Sequence, residues 1–355
     1  MEQPFKEKIE EIMWAENSGR LQFPILSVLS FFYGLLVRTR LLLYRTGLLR
    51  TKKLPCPVIS VGNITTGGSG KTPVVAALCQ MLTAKGRSVV VLSRGYKRRS
   101  SGTIIVSDKN SVLLDVKNAG DEPFLLAMKC KGVPVIVGSD RFRSGTLATE
   151  KFSPDLIILD DGFQHIRLKR DLDLLLFDAL RGMGSGRMLP RGPLREPRSS
   201  VARADIVMIK GRGALRNDHS FEQQCFTFDY APTKLIDITG KTSPEISTLR
   251  GKKVVALSAL ASTESFYLTL QSCGAEIVER LSFPDHHWFL PTDIGRIKDL
   301  AKGADLIVTT EKDLVRLDPS DFTGFPLFAL AIEARISNAK ALLKIIEAKL
   351  PSKPE

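Results

Sequence analysis

Residues 58–73 (VISVGNITTGGSGKTP) set the strongest limit on what this chain can fold into. A short β-branched run enters a turn dense in glycine, and the turn opens on Lys-Thr at the head of an amphipathic stretch. Strand, glycine turn and helix in that order let consecutive backbone N–H groups and a helix N-terminus surround phosphate oxygens, because no side chain blocks their approach. Gly67, Gly68, Ser69 and Gly70 would form such a cradle. Lys71 would reach the β- and γ-phosphates, and the Thr72 hydroxyl would ligate the Mg2+ that neutralises them. Pro73 falls in the first helical turn, where its missing N–H costs nothing. The pattern G-x-x-x-x-G-K-[ST] is broken at one place, since Thr65 stands where the first glycine belongs. An ordinary glycine-rich turn is the plainer reading of the same residues.

Beyond residue 54, apolar runs at 58–61, 89–92, 133–137, 156–159, 172–177 and 206–209 alternate with amphipathic stretches. That rhythm predicts βαβ units, hence an α/β fold with a P-loop NTPase-type parallel sheet covered by helices. A second set of runs at 254–257, 277–281, 306–309 and 327–332, with a closing helix over 338–350, predicts a second, smaller α/β domain. The expected units are an N-terminal docking segment at 1–53, a P-loop core at 54–212 and the smaller domain at 213–355. The run 154–161 (PDLIILDD) ends in two acids and resembles a Walker B strand, with Asp160 holding Mg2+ and Asp161 beside it. Residues 181–203, rich in Gly, Pro and Arg, read as a long loop, and long loops in compact domains are usually functional.

Charge and length narrow the partners. The 355 residues carry 51 Lys+Arg against 38 Asp+Glu, a formal +13 that implies an acidic partner. The five cysteines are odd in number, scattered and never spaced as CxxC, which argues against a disulfide framework or a structural zinc site. Residues 21–37 (LQFPILSVLSFFYGLLV) carry no charge, yet at about 1.5 Å per residue they scarcely reach across a bilayer core of about 30 Å. Arg38, Arg40, Arg45, Arg50, Lys52 and Lys53 follow with no acid among them. A greasy helix with a basic flank fits docking on an anionic membrane surface. The bland alternative is a buried core helix followed by a solvated loop.

Six segments in order, GNITTGGSGKTP (62–73), SRGYKR (93–98), GDEP (120–123), LDDGFQH (159–165), LPRGPLREP (189–197) and FPDHH (283–287), together resemble the tetraacyldisaccharide 4′-kinase family. The resemblance runs from residue 20 to about 316 and is far more specific than a P-loop alone. It implies an ATP-dependent kinase of lipid A biosynthesis that phosphorylates the 4′-hydroxyl of a tetraacylated glucosamine disaccharide 1-phosphate. Such a lipid substrate would place the enzyme at the cytoplasmic face of the inner membrane, with no obligate protein partner; no nucleic acid is expected, since the basic surplus comes without aromatic platforms or a recognition helix. The resemblance also implies roles for individual residues. Asp121 would be the base that takes the hydroxyl proton; the lesser alternative for a carboxylate ahead of the apolar PFLLAM stretch is an ordinary helix cap. His286 would pair with Asp121, orienting it and sharing its proton. Arg195 would contact phosphate and Glu196 would join the Mg2+ shell, while Arg94, Tyr96 and Lys97 would line the disaccharide or its 1-phosphate. Gln164 and His165 match the family as well, and orient at most a metal-shell water.

One rival class shares the P-loop, a membrane-associated ATPase that acts as a switch or positioning factor for a protein partner. Such switches often carry a second lysine just before the glycines, and NITT (63–66) has none. Residues 310–313 (TEKD) invite comparison with the guanine-reading [NT]-K-x-D pattern, but Lys312 and Asp313 are adjacent and the comparison fails.

Overall fold

A computed structural model of the chain describes residues 13–14, 24–211, 221–240, 244–260 and 263–350. Among these, one twelve-stranded sheet runs through the molecule. Its first seven strands are β1 (Val58–Gly62), β2 (Val89–Ser93), β3 (Ile104–Ser107), β4 (Val135–Val137), β5 (Leu156–Asp160), β6 (Leu172–Asp178) and β7 (Ile206–Lys210). The rest are β8 (Gln224–Asp237), β9 (Lys253–Ser258), β10 (Glu276–Ser282), β11 (Leu306–Thr310) and β12 (Leu327–Ile336). The spatial order is β10-β9-β11-β12-β8-β7-β6-β1-β5-β2-β4-β3.

β1 lies between β5 and β6, parallel to both, and β1, β2 and β5 are buried along their whole length. Continuous apolar runs belong in strands covered on both faces, which is why these three are plain in the sequence. Of the helices, α1 (Pro24–Arg45) precedes the sheet, α2 (Lys71–Ala84) follows β1, and α3 (Asp121–Lys129) and α4 (Arg141–Phe152) flank β4. The later ones are α5 (Glu264–Ser272), α6 (Pro291–Ala301), the single turn α7 (Glu311–Leu314) and α8 (Ala339–Ala348).

Three features differ from expectation. The sheet is mixed, because β3 runs antiparallel to β4 and β8 runs antiparallel to β12. The boundary expected between residues 212 and 213 lies outside the described residues, yet the sheet continues across it: β8 pairs parallel with β7 on one side and antiparallel with β12 on the other. The closing helix α8 turns back to the first half, where Leu342 and Ile346 share a core with Val74, Val75 and Leu78 of α2. The second half has its own apolar clusters above and below β9 and β11, built on Val254, Ala256 and Val308 on one side and on Val255, Leu257 and Ile307 on the other.

Candidate active site

The glycine turn leaves β1 at the centre of the sheet and ends on α2. Gly67 and Gly70 both have φ near +90°, which a side chain rarely tolerates, so the tight turn that Thr65 could not provide is made two residues later. Thr65 has a different task. It is buried and bridges to Leu194, while Thr66 N–H donates to the Pro193 carbonyl at 2.8 Å and Arg195 N–H to the Ile64 carbonyl at 2.7 Å. The long 181–203 loop thus holds the glycine turn in place. Gly70 is required on a second ground, since a Cβ there would stand 2.7 Å from the Tyr230 hydroxyl and 3.0 Å from Phe228.

Lys71, the first residue of α2, donates to Asn63 Oδ1 at 3.3 Å and lies 3.5 Å from Asp161. Arg195 reaches the same carboxylate at 2.9 and 3.1 Å. Asp161 has φ +51°, a strained value for a non-glycine that aims its carboxylate at both cations. Burial pushes its pKa up, but Lys71 and Arg195 outweigh burial and hold it at about 2. Asp160 is the opposite case. At 1% exposure it accepts one hydrogen bond, from Ser93 at 3.0 Å, and its Oδ1 has no partner among the described residues. Burial, with Glu122 and Asp161 adding negative charge, pushes it to about 7. Asp160 ends β5 opposite Val61 of β1, just where the glycine turn begins, and a buried carboxylate with an unpartnered oxygen suits a hard divalent cation. Glu196, expected in the same shell, is buried against Arg203 at 2.7 Å, and its Oε1 is unpartnered among the described residues.

Asp121 and His286 meet. The Nδ1 atom of His286 lies 2.6 Å from Asp121 Oδ2, although 165 positions separate the two residues. Asp121 is the first residue of α3 and not its cap, a position held by Gly120, so its side chain is free to face the loop that carries His286. Burial raises the Asp121 pKa, but the His286 hydrogen bond and the charges of Lys312 and Arg316 more than offset it, leaving Asp121 below the ordinary carboxylate value. The exposed ring of Tyr96 stands edge-on to His286, with ring centres 5.6 Å apart, and Lys97 extends over Tyr96. Arg94 is exposed on the same SRGYKR turn. Gln164 donates to the Asn63 carbonyl at 2.8 Å, and burial with Arg141 nearby lowers the His165 pKa to about 4.

Several residues here had no role in the sequence reading. Lys312 of TEKD lies 3.3 Å from each of Glu122, Asp285 and His286. Arg316, which is buried, stands 3.7 Å from Asp121 and is gripped by Asp313. Buried Arg141 donates to the Gly138 carbonyl at 2.8 Å and feels both Asp160 and Asp161. The only trace of Lys312 in the sequence is TEKD itself, a segment that otherwise resembles no more than a broken base-reading motif.

Helix α1 docks against this assembly by its small and polar stripe. Ser30 donates to the Met188 carbonyl at 2.7 Å, Tyr33 to the Arg195 carbonyl at 3.0 Å and Arg40 to the Gln164 carbonyl at 2.9 Å. The opposite face is bare: Ile25, Phe31 and Leu36 are 73%, 66% and 70% exposed. A buried core helix is therefore excluded for this segment.

The comparisons with known proteins agree with one another. The family model described as LpxK, Tetraacyldisaccharide-1-P 4'-kinase, matches residues 22–351. Among curated relatives, the tetraacyldisaccharide 4'-kinase of Halothermothrix orenii is 39% identical over 91% of both chains. That of Syntrophus aciditrophicus is 41% identical, again over 91% of both chains. The crystal structure of LpxK from Aquifex aeolicus in complex with ATP superposes with a TM-score of 0.77 at 35% identity, covering 91% of this chain and 98% of that one.

Proposed function

Because the chain belongs to the tetraacyldisaccharide 4′-kinase family, we infer that it transfers the γ-phosphoryl group of ATP to the 4′-hydroxyl of a tetraacylated glucosamine disaccharide 1-phosphate, a step of lipid A biosynthesis. A switch ATPase gains no support from these relatives.

Phosphoryl transfer passes through a loose transition state, so the protein contributes positioning, charge neutralisation and a base for the hydroxyl proton. Backbone N–H groups from Gly67 to Thr72 hold the phosphate oxygens, and Lys71 neutralises the terminal one. Lys71 and Arg195 share the Asp161 carboxylate. Incoming phosphate oxygens offer both cations a second anionic partner of matching geometry. Thr72, Asp160, Asp161 and Glu196 are the candidates to hold Mg2+, which when bound would supply positive charge that neutralises the phosphates. Asp121 accepts the proton of the 4′-hydroxyl as the new O–P bond forms and the bond to the β-phosphate oxygen breaks, releasing ADP. His286 orients that carboxylate. Arg94, Tyr96 and Lys97, on the turn that meets His286, bind the disaccharide or its 1-phosphate.

The observation that carries this reading is the 2.6 Å contact between a buried Asp121 and His286 in a chain with this phosphate loop. The bare face of α1, with the basic residues from Arg38 to Lys53 in and beyond its last turns, docks the enzyme as a monotopic protein on the cytoplasmic leaflet, where the acylated substrate resides. The test is transfer of label from γ-labelled ATP to the purified disaccharide 1-phosphate in mixed micelles. Label appearing in the lipid supports the reading, and label confined to ATP and free phosphate overturns it.

A further inference from the structure

The TEKD segment has no task in the reaction as described, yet it places a half-buried ammonium against the Asp121–His286 pair. Lys312 Nζ lies 3.3 Å from Glu122 Oε1, from Asp285 Oδ1 and from His286 Nε2. An ammonium has three protons and no lone pair, so each of the three atoms facing it must accept. A histidine whose Nε2 accepts is neutral and carries its proton on Nδ1. In this chain Nδ1 is the atom 2.6 Å from Asp121 Oδ2.

We propose that Lys312 is a positioning residue that fixes His286 in its Nδ1–H tautomer, so that His286 donates permanently to Asp121 and does not take up the proton Asp121 receives. This rests on Asp121 being the base, and it replaces the expectation that the pair shares the proton. Since Nδ1 is already protonated, the hydroxyl proton remains on the Asp121 carboxyl until the product has left.

The other groups around the ring are consistent with the lock. Asp285 Oδ2 lies 3.6 Å from Nε2, beyond hydrogen-bond reach, and the other Asp285 oxygen is engaged by Lys312. Tyr96 presents a ring edge. Arg316, 3.7 Å from Asp121 Oδ2, adds a second cation and is held there by Asp313. Charged neighbours Glu122 and Asp285 keep Lys312 protonated: burial alone would lower its pKa, but these carboxylates, with Asp121, leave it raised.

The decisive measurement is the nitrogen NMR spectrum of the full-length protein labelled with 15N-histidine, which has only four histidines to assign. His286 should show a protonated Nδ1 and a bare Nε2 at neutral pH. An Nε2–H or imidazolium pattern in the wild-type protein overturns the proposal, and this readout needs no variant to fold. In Lys312→Met the lock is gone. The Nε2–H or imidazolium form should then appear, the acid limb of kcat/KM should move to higher pH, and kcat should fall about tenfold, with KM for ATP unchanged. Lys312→Arg, which also presents only donors, should restore the Nδ1–H pattern. Wild-type tautomer and pH profile in Lys312→Met would equally defeat the idea. Failure of the underlying base reading looks different: Asp121→Asn would turn over normally while the His286 tautomer stayed as found.

Discussion

At the scale of single residues, the site is organised by which carboxylates are kept charged. Asp161 carries two cations and is ionised, Asp121 carries a histidine and two more distant cations, and Asp160 carries almost none. If Asp121 is the base, Asp121→Asn should lower kcat by about 10²–10⁴-fold, the span general-base catalysis contributes, and barely change KM for ATP. Steady-state kinetics with ATP and lipid varied separately read this directly, and a selective loss of ATP affinity would contradict it. His165 offers a pH test that does not involve catalysis. Burial, and then Arg141, hold its pKa at about 4 against the ordinary 6.5, so the folded state keeps it neutral while the unfolded chain protonates it. Its contribution to stability is therefore complete above about pH 6.5 and is lost as pH falls towards about 4. Urea midpoints measured across that window should fall more steeply in the wild-type protein than in His165→Gln. The glycine turn, Lys71, Thr72 and the two acids at the end of β5 were legible from the residues alone, because their chemistry depends on local order along the chain. Asp121 with His286 was visible only through family resemblance, and Lys312 not at all as a site residue, since a contact spanning 190 positions to Glu122 leaves no local trace.

At the scale of elements, α1 shows how composition can name a helix and leave its orientation open. Its small residues, Ser30 and Gly34, are the buried ones, and both face Met188 of the 181–203 loop: Ser30 donates to its carbonyl, and a Cβ at Gly34 would stand 3.6 Å from its side chain. The larger apolar side chains consequently point away from the protein. Tyr33 and Val37 also cover a core cluster built on Phe163, Phe177 and Val207, so deleting the helix would uncover that core as well as the docking surface. Point substitutions separate the two effects. Replacing Phe31, Leu35 and Leu36 by Ser removes three exposed apolar groups worth roughly 1.5–3 kcal/mol each if they enter a membrane. Partition onto anionic vesicles should drop by at least about a hundredfold, with turnover of a detergent-dispersed substrate retained. Unchanged sedimentation with vesicles would place the docking surface elsewhere. Strand β8 is the converse case, an element with little trace in sequence. It alternates between buried and exposed positions, carries Pro232 at a register shift against β12, and is interrupted by charge, so no apolar run announces it.

At the scale of the whole molecule, the sheet is continuous but the site is assembled from both halves, and helix α3 is where they are joined. Its first residues meet the second half through Asp121 to His286 and Glu122 to Lys312, and its last through Lys129 to Glu311. Lys129 Nζ lies 2.7 Å from both Glu311 oxygens and 2.8 Å from the Ile332 carbonyl, while Glu311 in turn accepts from the Ile332 N–H at 3.1 Å. Both side chains are nearly enclosed, at 13% and 9% exposure, so neither can exchange its partner for water. Removing one member leaves the other buried and unpaired, which costs about 3–5 kcal/mol, whereas removing both takes away the stranded charge. Lys129→Ala and Glu311→Ala should each lower the urea midpoint strongly, and the double variant should lose clearly less than the sum, with a coupling of about 0.5–3 kcal/mol. Because Asp121 rides on the same helix, the single variants should also lose kcat in excess of any change in KM for ATP. Strict additivity in the double-mutant cycle, with kcat intact, would mean that the two halves are held together without this pair and that α3 is only a neighbour of the joint.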